Sequence, residues 1–86
     1  MTMDDIYAQL QELAQCGDPT FANAANFVGQ ITSQAHQGQM APSELIETLG
    51  DVQRQMSIIQ DMSQLQYKEK LNTLINGIIT IASAAA

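Results

Sequence analysis

The sequence predicts an all-α protein in which two short helices precede a long C-terminal helix, arranged as a helical hairpin or small bundle. Apolar residues recur every three or four positions through most of the chain, which is the spacing of one helix face. Glycine and proline divide that pattern at two places, near Gly17 and Gly38. A strand is the alternative for residues 78–81, where β-branched side chains cluster.

The first helix is predicted over about residues 3–16. Thr2 can cap it, and Asp4 and Asp5 lie in the first turn, where the helix dipole favours acidic side chains. Gly17 ends it as a left-handed cap. Its apolar stripe consists of Ile6, Leu10 and Leu13.

The second helix is predicted over about residues 19–37. Asp18 is its N-cap, and Pro19 occupies the first helical position, where a missing N–H has no cost. Gly38 is the expected stop. The apolar stripe consists of Phe21, Ala25, Val28, Ile31 and Ala35, and Ala24 and Phe27 widen it.

The third helix is predicted over about residues 42–82, opened by Pro42 and Glu44. It carries two seams with heptad-like spacing, offset from one another by one position. Residues 63–66 contain neither Gly nor Pro, which favours a continuous helix; two helices with a joint there are the alternative. The seams are Leu45, Leu49, Val52, Met56 and Ile59, followed by Tyr67, Leu71, Leu74, Ile78 and Ile81.

A continuous helix over residues 42–82 would be about 60 Å long. Two short helices cannot cover that length, so we expect the seam residues, together with Ile75, to mediate self-association. Composition points the same way, because the single predicted domain of 86 residues has no Trp and few aromatic side chains to fill a core. The alternative is an intramolecular bundle in which the first two helices cover the third.

The formal charge of −6 is unevenly distributed, since seven acidic residues precede the first strong base, Arg54. The helix over residues 19–37 contains no Lys or Arg, so neither a DNA-reading helix nor nucleic-acid binding in general is expected. An acidic surface suits a basic protein partner. We expect Glu44, Glu47 and Asp51 to face such a partner.

Catalytic chemistry is not expected. Cys16 is the single cysteine and His36 the single histidine, so the chain has no recognisable zinc set and no intramolecular disulfide. A thiolate at Cys16 would be disfavoured by the C-terminal end of the first helix. Paired acids such as Asp4 and Asp5 are interpreted as helix caps. We therefore predict no enzyme activity, cofactor or metal.

The sequence also bears on membrane contact. Its start lacks the basic and apolar pattern of a cleaved signal, and no segment has the ~20 apolar residues of a membrane span. Cytoplasmic residence and export by a route without cleavage both remain open. Membrane insertion of residues 71–86, the most apolar segment, is the alternative to its burial against protein.

The C-terminal half resembles the needle and inner-rod subunits of type III secretion systems. The matching residues are Pro42, Ser43, Leu45, Ile46, Gln53, Ser63, Leu65, Lys70, Gly77, Ile78 and Ile79. The match needs an insertion of about two residues, and the mid-helix aromatic residues of those needles are missing. The resemblance implies helical polymerisation through the C-terminal helix, with Ile75, Ile78 and Ile81 between subunits.

Two functions are thus carried forward. The first is a non-enzymatic subunit that self-associates through its C-terminal helix, as a structural component of a secretion apparatus or phage particle. The second is a small acidic adaptor, chaperone or inhibitor that binds a basic surface of a partner.

Overall fold

The computed structural model describes residues 2–59 and 64–85, which form four α-helices. These helices are α1 (Met3–Ala14), α2 (Pro19–His36), α3 (Pro42–Ser57) and α4 (Leu65–Ala85). Residues 78–81 lie inside α4, so the strand alternative for them is wrong. No strand occurs in the two described ranges, and the predicted all-α class is confirmed.

Local side-chain caps fix where α1 and α2 begin. The hydroxyl of Thr2 accepts the N–H of Asp5, and the carboxylate of Asp5 accepts the N–H of Thr2, both at 3.2 Å. This reciprocal pair is a capping box. At α2, the carboxylate of Asp18 accepts the N–H of Thr20 at 3.0 Å, with Pro19 as the first helical residue. Both predicted N-caps are confirmed.

Two glycines with left-handed backbone follow the ends of these helices. Gly17 has φ of +87° and Gly38 has φ of +79°, a region that other residues enter only with strain. The predicted stops are confirmed. The helices themselves end slightly earlier than expected, at Ala14 and His36, because the last turns tighten before each glycine.

The single long helix predicted over residues 42–82 is wrong. Instead, α3 ends at Ser57, and α4 begins at Leu65. The amides of Ile58 and Ile59 donate to carbonyl groups three residues earlier, which is how a helix commonly closes its last turn. The alternative of two helices is correct, although α3 ends before the joint expected near residues 63–66.

α3 and α4 pack on each other across the break. The side-chain amide of Gln53 donates to the side-chain oxygen of Asn76 at 2.8 Å, and Lys68 Nζ donates to the carbonyl of Ile59 at 3.2 Å. Lys68 at the start of α4 thus lies beside the chain that leaves α3, and Gln53 in the second half of α3 contacts Asn76 near the middle of α4. The two seams therefore face each other in an antiparallel hairpin, which removes both from water. Residues 60–63 lie outside the described part of the chain.

The four helices form an up-and-down bundle. α1 and α3 each pack on α2 and on α4, and α2 also contacts α4 across the centre. Consecutive helices run antiparallel, so α1 and α3 point one way and α2 and α4 the other. Lys70 of α4, for example, pairs with Glu12 near the end of α1. The core therefore receives side chains from all four helices.

Most of the predicted seam residues lie in this core. Phe21 is fully buried and packs at a tilt on Tyr67, with ring centroids 5.9 Å apart. The apolar core contains Ile6, Leu10, Leu13, Phe21, Ala25, Val28, Ile31, Leu45, Leu49, Val52, Met56, Leu71, Leu74, Ile75, Ile78 and Ala82. The alternative of an intramolecular bundle thus describes this conformation, because most of the seam residues expected to need a partner are covered within the chain.

Candidate interaction site

An apolar cavity opens at one end of the bundle, where α1 and α3 begin and α2 and α4 end. It has a volume of about 270 Å³, and every helix contributes to its wall. Most of its lining is aliphatic. The lining residues are Met3, Thr32, Ala35, His36, Pro42, Leu45, Ile78, Ile81 and Ala82. We call this end, made of the first halves of α1 and α3 and the second halves of α2 and α4, the cavity end.

The cavity forms because short side chains stand at inward positions. Ala35 is partly buried and packed on the core, and Ala82 is 8% exposed. The floor is closed by larger residues, since Leu45 and Ile78 are buried. The hydroxyl of Thr32 is also buried and donates to the carbonyl of Val28 at 2.6 Å. Its donor is therefore satisfied within α2, which leaves a largely apolar surface.

Four carboxylates lie at this cavity end, two on α1 and two on α3. Asp4 and Asp5 lie in the first turn of α1, and Glu44 and Glu47 lie in the first two turns of α3. All four are exposed. Among the described residues, no Lys or Arg belongs to these helix halves. The cavity end thus carries four formal negative charges that no cationic side chain offsets.

Two groups at this end have shifted pKa values. Partial burial raises the pKa of Tyr7, and the negative charge of Asp4 raises it further. The pKa of Asp5 is lowered, chiefly by the backbone N–H of Thr2 and then by the Thr2 hydroxyl. Asp5 therefore stays charged to lower pH than an ordinary aspartate.

The opposite end of the bundle holds all of the strong bases. Arg54 forms an ion pair with Asp51, three residues earlier in α3. Lys70 Nζ lies 3.3 Å from Glu12 Oε2, and Lys68 donates to the carbonyl of Ile59. Arg54 and Lys70 are therefore each paired with a carboxylate at their own end of the bundle, which partly offsets their charge. The charge of the molecule is consequently graded along the bundle axis.

The residues predicted for self-association lie mostly inside the chain. Eight are buried, namely Leu45, Leu49, Val52, Met56, Leu71, Leu74, Ile75 and Ile78. Ile59, Tyr67 and Ile81 are partly buried. The structure brings Leu45, Ile78 and Ile81 together at the cavity. Self-association through this set stays a prediction, and it would require these side chains to leave the core.

The three acids predicted to face a partner fall into two groups. Glu44 and Glu47 are exposed at the cavity end. Asp51 is exposed as well, but it pairs with Arg54 in the other half of α3. The structure thus places two of the three at the same end of the bundle as Asp4 and Asp5.

Cys16 and His36 do not come together. Cys16 follows α1 and lines a small depression with Glu12, Gln66 and Lys70, while His36 is the last residue of α2. Because α1 and α2 are antiparallel, their C-terminal ends lie at opposite ends of the bundle. Within residues 2–59 and 64–85, no group of three His, Cys, Asp or Glu side chains is arranged to hold a metal ion.

Sequence reasoning missed the cavity itself. Ala35 was assigned to the apolar stripe of the second helix, but the void beside it depends on Ala82, which lies 47 positions later. Small residues at inward-facing positions were the available signal. These residues leave a cavity only because the helix directions bring Ala35 and Ala82 to the same end of the bundle.

Two further results complete the description of the site. Across the described residues, no helix combines the length and apolar character that crossing a bilayer requires. No protein-family model, curated protein sequence or solved structure matches this chain.

Proposed function

We propose that this chain is a small non-enzymatic interaction protein that binds a positively charged segment of another protein at its cavity end. One observation carries the proposal: an apolar cavity opens where the charged side chains of the described helix halves are all carboxylates. An apolar recess at an end of the bundle that carries charge of one sign is a combination that suits a protein segment of opposite charge.

The exposure of the four acids supports this function. Asp4, Asp5, Glu44 and Glu47 are hydrated and have no cationic partner among the described residues, so a basic segment can approach them without first breaking an ion pair. Exposed charges of one sign mainly raise the association rate and select the partner. Their contribution is screened over roughly 8 Å at physiological salt. Binding is therefore expected to weaken as salt rises.

A fluorescent lysine-rich peptide with a central leucine is a direct probe. We expect the double change Glu44→Gln and Glu47→Gln to weaken its binding by about tenfold at low salt. The matched control is Glu12→Gln with Glu69→Gln, which removes the same formal charge from the opposite end. That control is expected to change the dissociation constant by less than about twofold.

Fluorescence anisotropy between about 50 and 300 mM salt measures both constants. If the two double variants lost affinity equally, net charge rather than the cavity end would be responsible. If a glutamate-rich peptide of the same length bound as well as the lysine-rich one, the proposed function would be wrong.

Self-association is the second candidate function, favoured by apolar residues exposed outside the core. Ile58 is 76% exposed and Leu65 is 43% exposed, and both flank the segment that joins α3 to α4. Phe27 on α2 is 44% exposed. A contact between copies through these exposed residues would leave the seam residues buried in the core of each copy. The resemblance to type III secretion subunits also favours assembly.

Light scattering coupled to size exclusion, over a hundredfold range of concentration, tests this second function. Growth in mass that Ile58→Asp abolishes would support assembly through the exposed residues. Growth that Ile58→Asp leaves intact would point to the seams of α3 and α4, which must then unpack. A constant monomer mass would contradict self-association and leave the adaptor as the one remaining candidate function.

A further inference from the structure

We propose that the cavity is a pocket for a single aliphatic or aromatic side chain, carried by a segment whose flanking residues are Lys or Arg. This inference rests on the proposed function and adds the chemistry of the group that enters the cavity. The four carboxylates of the cavity end select the flanking residues, and the cavity selects the central one.

The volume fits one large apolar side chain. An engineered apolar cavity of about 150 Å³ holds benzene. The present cavity is larger, about 270 Å³, and it is open at the end of the bundle. A Leu or Phe side chain can therefore enter without displacing the buried floor made by Leu45 and Ile78.

The lining excludes polar side chains. The buried hydroxyl of Thr32 already donates to the carbonyl of Val28, and His36 stands at an exposed position at the end of α2. A polar group placed on the floor would lose its hydration and gain few partners there. An apolar group instead releases water from Leu45, Ile78 and Ala82, which is favourable in proportion to the area covered.

The acids of the cavity end disfavour anionic ligands. A fatty acid would satisfy the apolar lining, but its carboxylate would stand at the end that carries Asp4, Asp5, Glu44 and Glu47. A second copy of the chain is a weaker occupant for the same reason. Its exposed Ile58 lies at an end where Glu12, Asp51 and Glu69 accompany the bases.

The experiment compares three lysine-flanked peptides that differ only in a central Ala, Leu or Phe. On the wild-type chain, we expect the Leu and Phe peptides to bind at least about tenfold more tightly than the Ala peptide. Ala35→Leu fills the cavity from α2 and should abolish this difference while the Ala peptide keeps its affinity. Ala24→Leu, on the same helix and also partly buried, should preserve the difference.

Circular dichroism and a urea titration establish that each variant folds, and Ala82→Leu replaces Ala35→Leu if that variant does not. Equal binding of the three peptides to the wild type would overturn the pocket while leaving a cationic partner in place. Binding no tighter than that of an uncharged peptide would overturn the proposed function as well. If the chain grew in mass with concentration and the peptides reversed that growth, a second copy would be the occupant of the cavity. That outcome would overturn the inference.

Discussion

The ammonium group of Lys68 donates a hydrogen bond of 3.2 Å to the carbonyl oxygen of Ile59, across the break between α3 and α4. Carbonyl groups at the end of a helix have no intrahelical donor, and the helix dipole makes that end attractive to a cation. Lys68 meets both needs from the start of the next helix. Ile59 lies two residues beyond the end of α3, so this contact ties the start of α4 to the chain that leaves α3. It lies where the nearby sequence has neither Gly nor Pro.

Removing that hydrogen bond should weaken the bundle. We expect Lys68→Met to lower the free energy of unfolding by about 1 kcal/mol, because the partly buried carbonyl of Ile59 loses its donor. Lys70→Met is the matched control, since Lys70 makes an exposed ion pair with Glu12 that is worth about 0–1 kcal/mol. Urea unfolding followed by circular dichroism compares them. An equal loss in the two variants would contradict the role assigned to Lys68.

The seam residues should behave as core residues. Leu49 is completely buried, so Leu49→Ala is expected to cost about 2–5 kcal/mol through lost burial and the cavity left behind. Ile58→Ala serves as the control, because Ile58 is exposed and its truncation should change stability by less than about 0.5 kcal/mol. Thermal and urea unfolding measure both. If Leu49→Ala changed the size of an assembly but not monomer stability, the seam would belong to an interface between chains.

The capping box of α1 should have a measurable value. Thr2→Ala removes the hydroxyl that accepts the N–H of Asp5, and we expect a loss of about 1 kcal/mol at neutral pH. Thr73→Ala is the control, because the Thr73 hydroxyl is exposed and bonds only to a carbonyl within α4. Differential urea unfolding at pH 7 separates them. Similar losses would mean that the cap adds nothing beyond a surface hydroxyl.

The same box makes stability depend on pH in a defined direction. The pKa of Asp5 is lower in the folded chain than in the unfolded one, so its contribution is complete above the ordinary aspartate pKa of about 4. It disappears as pH falls through the lowered value. The stability difference between the wild type and Asp5→Ala should therefore be largest at neutral pH and shrink in acid. A difference independent of pH would contradict the assignment.

Two glycines should respond to alanine with opposite signs. Gly38 has φ of +79°, so Gly38→Ala is expected to destabilise by about 1 kcal/mol. Gly50 lies inside α3, and a methyl group added there meets nothing within 4 Å. Gly50→Ala should therefore stabilise by about 0.5–1 kcal/mol through helix propensity and a less flexible unfolded chain. Losses in both variants would show that Gly50 serves packing rather than flexibility.

Local signals account for the parts of the fold that were predicted correctly. Thr2, Asp18 with Pro19, and the two left-handed glycines act within one turn of the chain, so the sequence around them is sufficient. The end of α3 instead coincides with a contact from Lys68, nine residues beyond Ile59, and with the packing of one seam against the other. No Gly or Pro lies within a turn of Ser57, which is why the sequence predicts a continuous helix.

The candidate site was also predictable only in part. Glu44 and Glu47 were predicted to face a partner, and their exposure follows from their positions opposite the seam of α3. The cavity depends on where four helix ends meet, and the acids of α1 join those of α3 there only because the two helices run in the same direction. Predicting that these acids share one end of the bundle therefore requires knowledge of the helix topology.

The graded charge also affects how the molecule moves before any contact is made. The bundle measures 36 Å along its longest dimension and 23 Å and 20 Å across, and α4 alone accounts for about 31 Å of that length. Four carboxylates at an end whose described residues include no Lys or Arg give the bundle a permanent dipole along its axis. The field of a cationic surface exerts a torque on this dipole and favours the orientation that presents the cavity first. Encounters in that orientation would then be more frequent than for a uniformly charged particle of the same size.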